Sequence, residues 1–197
     1  MDLAIVKYNA GNIQSVLYAL ERIGASAMVT DDAALLQAAD KVIFPGVGEA
    51  SSSMKYLKAR NLDKVISGLR QPVLGICFGM QLMCAYSEEG DTECLGIFHE
   101  KVKKFPATKG IKVPQIGWNQ IQNLESPLFD GIPEGAFCYF VHSYYAAVGP
   151  HTIGTTGYGI QYSSALHRDN FWGVQYHPEK SAEIGERILK NFIEKIG

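Results

Sequence analysis

The stretch Val73-Leu74-Gly75-Ile76-Cys77-Phe78-Gly79-Met80-Gln81-Leu82 constrains the fold more than any other part of the chain. An apolar run behind Pro72 reads as a buried strand of a parallel sheet. It passes Gly75, Cys77 and Gly79 and then takes the apolar spacing of a helix at Met80, Leu82 and Met83. Glycines two residues either side of a nucleophile form the G-x-nucleophile-x-G elbow, here with cysteine where a hydrolase would carry serine. Such a turn holds its central residue in a strained backbone conformation, and side chains at positions 75 and 79 would collide with the adjoining strand and helix. The helix start behind the turn favours a thiolate at Cys77 over the thiol. The elbow by itself is equally compatible with a small buried cysteine in a tight strand–helix turn.

Composition narrows the function classes. The 197 residues are 47% hydrophobic, enough to bury a full core, and are read as a single domain over 1–197. A net charge of −2 with scattered lysines offers no electrostatic footprint for a nucleic acid or an acidic membrane. The opening Met1-Asp2-Leu3-Ala4-Ile5-Val6-Lys7 lacks a basic start and is too short for a signal-peptide core. No apolar run reaches the roughly 18 residues of a membrane helix. Cysteines 77, 84, 94 and 138 form no C-x-x-C pair and no zinc spacing, so neither a metal nor a cofactor is expected. Reduced thiols point to a cytoplasmic enzyme.

The first half of the chain alternates strand and helix. Leu3–Val6, Ala27–Thr30 and Lys41–Phe44 read as strands. Asn12 caps a helix with apolar positions Ile13, Val16, Leu17, Leu20 and Ile23, stopped at Gly24. Asp31 or Asp32 caps a second, and one helical stretch runs from Met54 to Ile66. This β-α-β-α pattern predicts a mostly parallel central sheet flanked by helices on both faces. Ligands gather at the carboxyl ends of such strands, where Asn12, Gly48 and Cys77 fall. From Gly96 to Leu166 the runs are short and alternating: 97–99, 102–105, 116–119, 137–141 and 153–156. They predict antiparallel hairpins added at the edge of that sheet. A strand over Phe171–Tyr176 then leads into His177-Pro178-Glu179, and a helix capped at Ser181 ends the chain.

A thiol nucleophile needs an imidazole to take its proton and a carboxylate to fix that imidazole's tautomer. His177 and Glu179 supply both, 100 residues beyond Cys77 and at the carboxyl end of another expected strand. A lone His-Pro-Glu is otherwise an ordinary surface loop. Joined to the elbow, it completes a Cys77-His177-Glu179 triad. His99, His142, His151 and His167 lack this context and are read as structural or solvent-facing.

Three blocks together carry a family resemblance: Pro45-Gly46-Val47-Gly48, Gly75 to Gln81, and His177-Pro178-Glu179. They resemble the signatures of the class I, triad-type glutamine amidotransferases, whose sheet is a flavodoxin-like three-layer α/β fold. Tyr8 to Val16, Pro114 to Asn119 and Tyr139 to Tyr145 are similar to the branch that serves imidazole glycerol phosphate synthase. Lys7-Tyr8-Asn9 departs from the usual Asp-Tyr-Gly of that branch, away from the triad. The resemblance implies glutamine as substrate, attacked by Cys77, with His177 moving the proton and Glu179 holding His177. It implies an oxyanion site at the N–H of Phe78 and in the Val47-Gly48 segment. It places Gln81, Glu89, Ser143 and Tyr144 around the glutamine backbone, although Glu89 also reads as a solvated loop charge. The ammonia would pass to a separate subunit, the cyclase HisF, a (β/α)₈ barrel, in a heterodimer. Asn12, Asn119, Tyr139 and Lys180 are candidates for that partner face. A glutaminase for another synthase, a stand-alone cysteine hydrolase and a regulatory module with a relic site are the alternatives.

Overall fold

Strand and helix alternate through the first 83 residues of the computed structural model, which describes residues 1–9, 11–106 and 111–197; Ala10 of the Tyr8–Val16 block lies outside them. The elements are β1 (Leu3–Val6), α1 (Ile13–Arg22), β2 (Met28–Thr30), α2 (Ala33–Ala38), β3 (Lys41–Gly46), α3 (Ala50–Ala59), α4 (Leu62–Ser67), β4 (Val73–Cys77) and α5 (Phe78–Met83). Asp32 rather than Asp31 caps α2, its carboxylate accepting from Leu35 N at 3.0 Å. The helical stretch expected from Met54 to Ile66 is two helices. Asn61 breaks it with φ of 56°, a left-handed conformation asparagine tolerates better than most residues.

Then come β5 (Tyr86–Ser87), β6 (Thr92–Glu93), β7 (Lys101–Lys104), β8 (Gln115–Gln120), β9 (Phe137–His142), β10 (Tyr144–Ala146), β11 (Thr152–Gly157), β12 (Gln161–Arg168), β13 (Phe171–Val174) and α6 (Ala182–Glu194). Five strands run parallel in the order β2-β1-β3-β4-β13. Beyond β13 the sheet turns antiparallel through β12, β10 and β7, the expected addition at its edge, although of these three only β7 lies on one of the short runs read from the sequence. Residues 97–99, expected as a strand, instead cross the end of α5: Phe98 N donates to Met83 O, and Ile97 O accepts from Arg168. β8 and β9 do not join the sheet edge but form their own antiparallel ribbon. The alternation of β9 explains this, because Cys138, Phe140 and His142 face inward onto the core while Phe137 faces out.

The parallel strands β1, β3, β4 and β13 are buried on both faces and divide their side chains by parity. Leu3, Ile5, Ile43, Leu74, Ile76 and Val174 face one core with α1, α6 and the inner side of the ribbon. Ala4, Val6, Val42, Phe44, Val73 and Phe171 face the other with α2 to α5. The sheet is thus the middle of three layers, and its carboxyl edge is open at the ends of β3, β4 and β13. Among the described residues no helix is long and apolar enough to cross a membrane.

Candidate active site

The elbow forms as its glycines require. Cys77 has φ of 52° and ψ of −107°, a conformation an L-residue adopts only when its surroundings enforce it. A Cβ at Gly75 would meet Met80 N at 2.9 Å, and one at Gly79 would sit on the Phe44 carbonyl oxygen of β3. With both positions bare, α5 lies against β3 and β4 and Cys77 projects at the sheet edge.

Parallel register then brings distant sequence together. β13 pairs with β4 as Gly173 with Gly75 and Val174 with Ile76, so the next step sets Gln175 beside Cys77 and His177 just beyond. His177 is fixed by its backbone: its N–H donates to Tyr139 O at 2.9 Å, and its carbonyl accepts from Ser181 Oγ at 2.7 Å. The same hydroxyl accepts from Tyr139 N at 2.9 Å. Ser181 therefore clamps the His-Pro-Glu turn to β9 instead of capping α6 with its side chain. Gly185 lets α6 press onto Pro178, whose carbonyl carbon would lie 2.7 Å from a Cβ there.

His177 Nδ1 and Glu179 Oε1 are 2.7 Å apart and both side chains are buried. Among the described residues Nε2 of the ring has no partner at hydrogen-bonding geometry, yet Cys77 stands close enough to act on its charge. Burial opposes the imidazolium, but the Cys77 sulfur and the Glu179 carboxylate outweigh it, and His177 is pushed up to about 10.

In front of Cys77 lies a cleft of about 250 Å³, room for an amino acid rather than a peptide chain. Val47, Gly48, Phe78, Gln81, Glu89, Ser143 and Tyr144 line it with Cys77, so the residues named for oxyanion and substrate binding are brought together. Glu89 is half-buried, and burial followed by the charge of Glu49 raises its pKa, against the bond from Ala50 N at 3.0 Å that lowers it. That bond ties it to the start of α3, two residues past Gly48. Gln81 spends both amide hydrogens inside the protein, donating to Tyr144 O at 2.7 Å and to Gln175 Oε1 at 2.8 Å. Only its oxygen remains to meet a ligand.

Several residues of this region had no task at the site assigned from the sequence. Gln175, fully buried, donates to Cys77 Sγ at 3.6 Å. His142 lies under the cleft, with Nδ1 2.7 Å from Tyr144 O and Nε2 3.3 Å from Tyr162 Oη. Burial, against the Tyr144 bond and with help from the charge of His177, holds it down at about 4. Tyr8 sits in the block that departs from the family pattern, which the sequence placed away from the triad. Its hydroxyl donates to Pro45 O at 2.9 Å and would occupy the space of a Cβ at Gly46. That block therefore braces the Pro45-Gly46 backbone leading into the Val47-Gly48 segment.

The partner-face candidates divide. Lys180 is exposed, its ammonium 6.0 Å from the centre of the Tyr139 ring, which meets Trp118 edge-on at 6.0 Å. Asn12 starts α1 and accepts from Ser15 Oγ at 2.9 Å. Asn119 is committed internally, donating to Gly157 O at 3.0 Å and accepting from Gln120 N at 2.8 Å. The sequence passed over the more conspicuous feature. Ile116, Trp118 and Phe137, each more than half exposed, share the outer face of the ribbon with Tyr139.

Sheet, elbow and buried His–Glu pair define a class of protein, and the sequence comparisons agree. The pattern of the family Glutamine amidotransferase class-I matches residues 5–196, and the chain belongs to that family. It is 57% identical over 195 residues to the imidazole glycerol phosphate synthase subunit HisH of Bacteroides fragilis, covering 98% of this chain and all of the relative. The subunit of the same name from Haemophilus influenzae is 43% identical over 197 residues, covering 100% of this chain and 98% of its own. Two solved structures share the fold. A glutamine amidotransferase has a TM-score of 0.76 at 15% identity, with 98% of both chains covered. A chain in the structure of PurLQS from Thermotoga maritima has 0.74 at 16%, with 100% of this chain and 99% of its own covered. The chain is a glutamine amidotransferase of the imidazole glycerol phosphate synthase type, in a class that works through a Cys-His-Glu triad.

Proposed function

We propose that Cys77, His177 and Glu179 are that triad, and that the chain, one domain over 1–197, hydrolyses glutamine for a HisF cyclase subunit. The observation that carries the reading is the convergence at one sheet edge of a strained Cys77 and a buried His177–Glu179 pair whose second ring nitrogen is unpartnered among the described residues. The Cys77 thiol gives its proton to His177 Nε2, and the sulfur attacks the side-chain amide carbon of glutamine. Negative charge on the carbonyl oxygen is met by the N–H of Phe78 and one from the Val47-Gly48 segment. His177 returns the proton to the departing ammonia. Water, deprotonated by His177, then releases glutamate from the thioester. Gln81, Glu89, Ser143 and Tyr144 hold the amino-acid end, with Glu89 taking the ammonium and the Ser143-Tyr144 main chain the carboxylate.

Ammonia set free in water becomes ammonium and loses its nucleophilicity, so it must pass directly to an acceptor site. HisF would use it to form imidazole glycerol phosphate and aminoimidazole carboxamide ribotide in histidine biosynthesis. The exposed apolar face of the ribbon, with Tyr139 and Lys180 beside it, supports docking of that cyclase there. Of the other two candidates, Asn12 stands half-buried at the start of α1, and Asn119, opposite the buried Cys138 on the inner side of the ribbon, supports that docking least. The four free cysteines accord with a cytoplasmic location. The test is co-purification with HisF followed by glutamine- and ammonia-dependent synthesis. Cys77→Ala should abolish the first and leave the second intact. Loss of both in a variant that still binds HisF would remove Cys77 from its role.

A further inference from the structure

We infer that Gln175 positions the thiolate of Cys77, donating its side-chain N–H to Sγ in an orientation set by a buried relay; this rests on Cys77 being the nucleophile. The amide of a glutamine can point either way, but here the direction follows from the neighbours. The relay starts at a backbone carbonyl, Tyr144 O, which only accepts. Gln81 must turn its nitrogen to it, at 2.7 Å, and so presents its second N–H to Gln175 at 2.8 Å. Gln175 must answer with its oxygen, which leaves its nitrogen facing Cys77 at 3.6 Å. Its own backbone is fixed by Gln175 N donating to Ser164 O at 2.9 Å, and its side chain is wholly shielded from solvent. An N–H held at sulfur stabilises negative charge there more than the neutral thiol. The sulfur's other polar contact among the described residues is the Val141 carbonyl oxygen, 3.9 Å away on the cleft wall. The Tyr144 carbonyl belongs to the segment that lines the substrate cleft, so the nucleophile and the substrate site share one anchor.

The experiment is the pH dependence of Cys77 alkylation by iodoacetamide in the full chain, read at Cys77 by peptide mass spectrometry. Gln175→Met keeps volume and removes the donor, and Gln175→Glu keeps shape while presenting acceptor oxygens. A hydrogen bond to a charged group is worth roughly a 10- to 150-fold shift in the ionisation equilibrium. The midpoint in Gln175→Met should therefore rise by about one to two pH units. Gln175→Glu should rise at least as far. In complex with HisF, ammonia-dependent synthesis should be unchanged, and glutamine-dependent kcat should fall at least tenfold with KM moving less. If either variant does not fold, the wild type still decides: the Gln175 side-chain amide proton must shift with the same midpoint as Cys77 alkylation. Midpoints unchanged in both folded variants, or an amide proton indifferent to Cys77 ionisation, would overturn the inference. Glutamine hydrolysis persisting in Cys77→Ala would instead overturn the assignment of the nucleophile.

Discussion

His142 makes a prediction whose size follows from the structure. Its ring is buried beneath the cleft, and the Tyr144 carbonyl, which only accepts, fixes the single proton on Nδ1. Burial, set against that bond, leaves the folded ring at about 4, from an ordinary 6.5. The unfolded chain takes up this proton as pH falls through 6.5, while the folded chain does not until about 4. Stability is therefore at its full value above 6.5, declines across the interval and has lost this contribution below about 4. At about 1.4 kcal/mol per pH unit the interval is worth about 3 kcal/mol. His142→Asn keeps a donor for Tyr144 O but cannot titrate. It should cost about 1–3 kcal/mol at pH 7 through lost packing and the lost Tyr162 contact. Urea unfolding of both proteins from pH 7 to pH 4 supplies the comparison. The difference between them should move by about 3 kcal/mol in the variant's favour, closing the gap or reversing it, as the wild type alone loses its buried neutral ring. Parallel curves over that range would refute a desolvated, neutral His142, and with it the account of how the cleft floor is held.

His177→Ala should lower glutamine turnover in the HisF complex by several orders of magnitude, because triad members act as a unit; turnover within tenfold of wild type would mean another base serves Cys77. Gly79→Ala, whose Cβ would sit on Phe44 O, should cost at least the upper end of the about 1–3 kcal/mol typical of overpacking, measured by urea unfolding. A change below about 0.5 kcal/mol would show that α5 can slide on β3 and that the elbow is not sterically set. Glutamine hydrolysis by the chain alone should be slow and should rise by roughly 10²–10³ with HisF and its nucleotide, the factor one oxyanion donor supplies. Equal rates for the chain alone, with HisF and with HisF plus nucleotide would favour a stand-alone hydrolase.

How far the sequence foretold the site depended on whether a residue's task was local or came from register. The elbow is local: Gly75 and Gly79 are required within four residues of each other, and the backbone angles of Cys77 follow from them. His177 and Glu179 lie two residues apart, so their 2.7 Å contact was legible as soon as a turn was expected there. The parallel half of the sheet was legible for a similar reason, since strands buried on both faces read as continuous apolar runs. β12 was not, although at eight residues it is the longest strand. Its run Gln161-Tyr162-Ser163-Ser164-Ala165-Leu166-His167-Arg168 mixes serines among the apolar residues. Ser163 is buried with its hydroxyl satisfied, Oγ donating to Ala147 O at 2.9 Å, and Ser164 is buried with no partner for its hydroxyl among the described residues. The 3.6 Å contact from Gln175 to Cys77 was equally hidden, because nothing within a few residues of either asks for the other. It exists only once β13 pairs with β4 in a particular register. A slip of one residue would turn Gln175 to the opposite face of the sheet and leave Gln81 with an unpaired donor. The same slip would carry His177 away from Cys77. Apolar parity on both faces of β13 fixes the register, so the packing that buries Trp172 and Val174 on one side and Phe171 on the other also aligns the reacting groups.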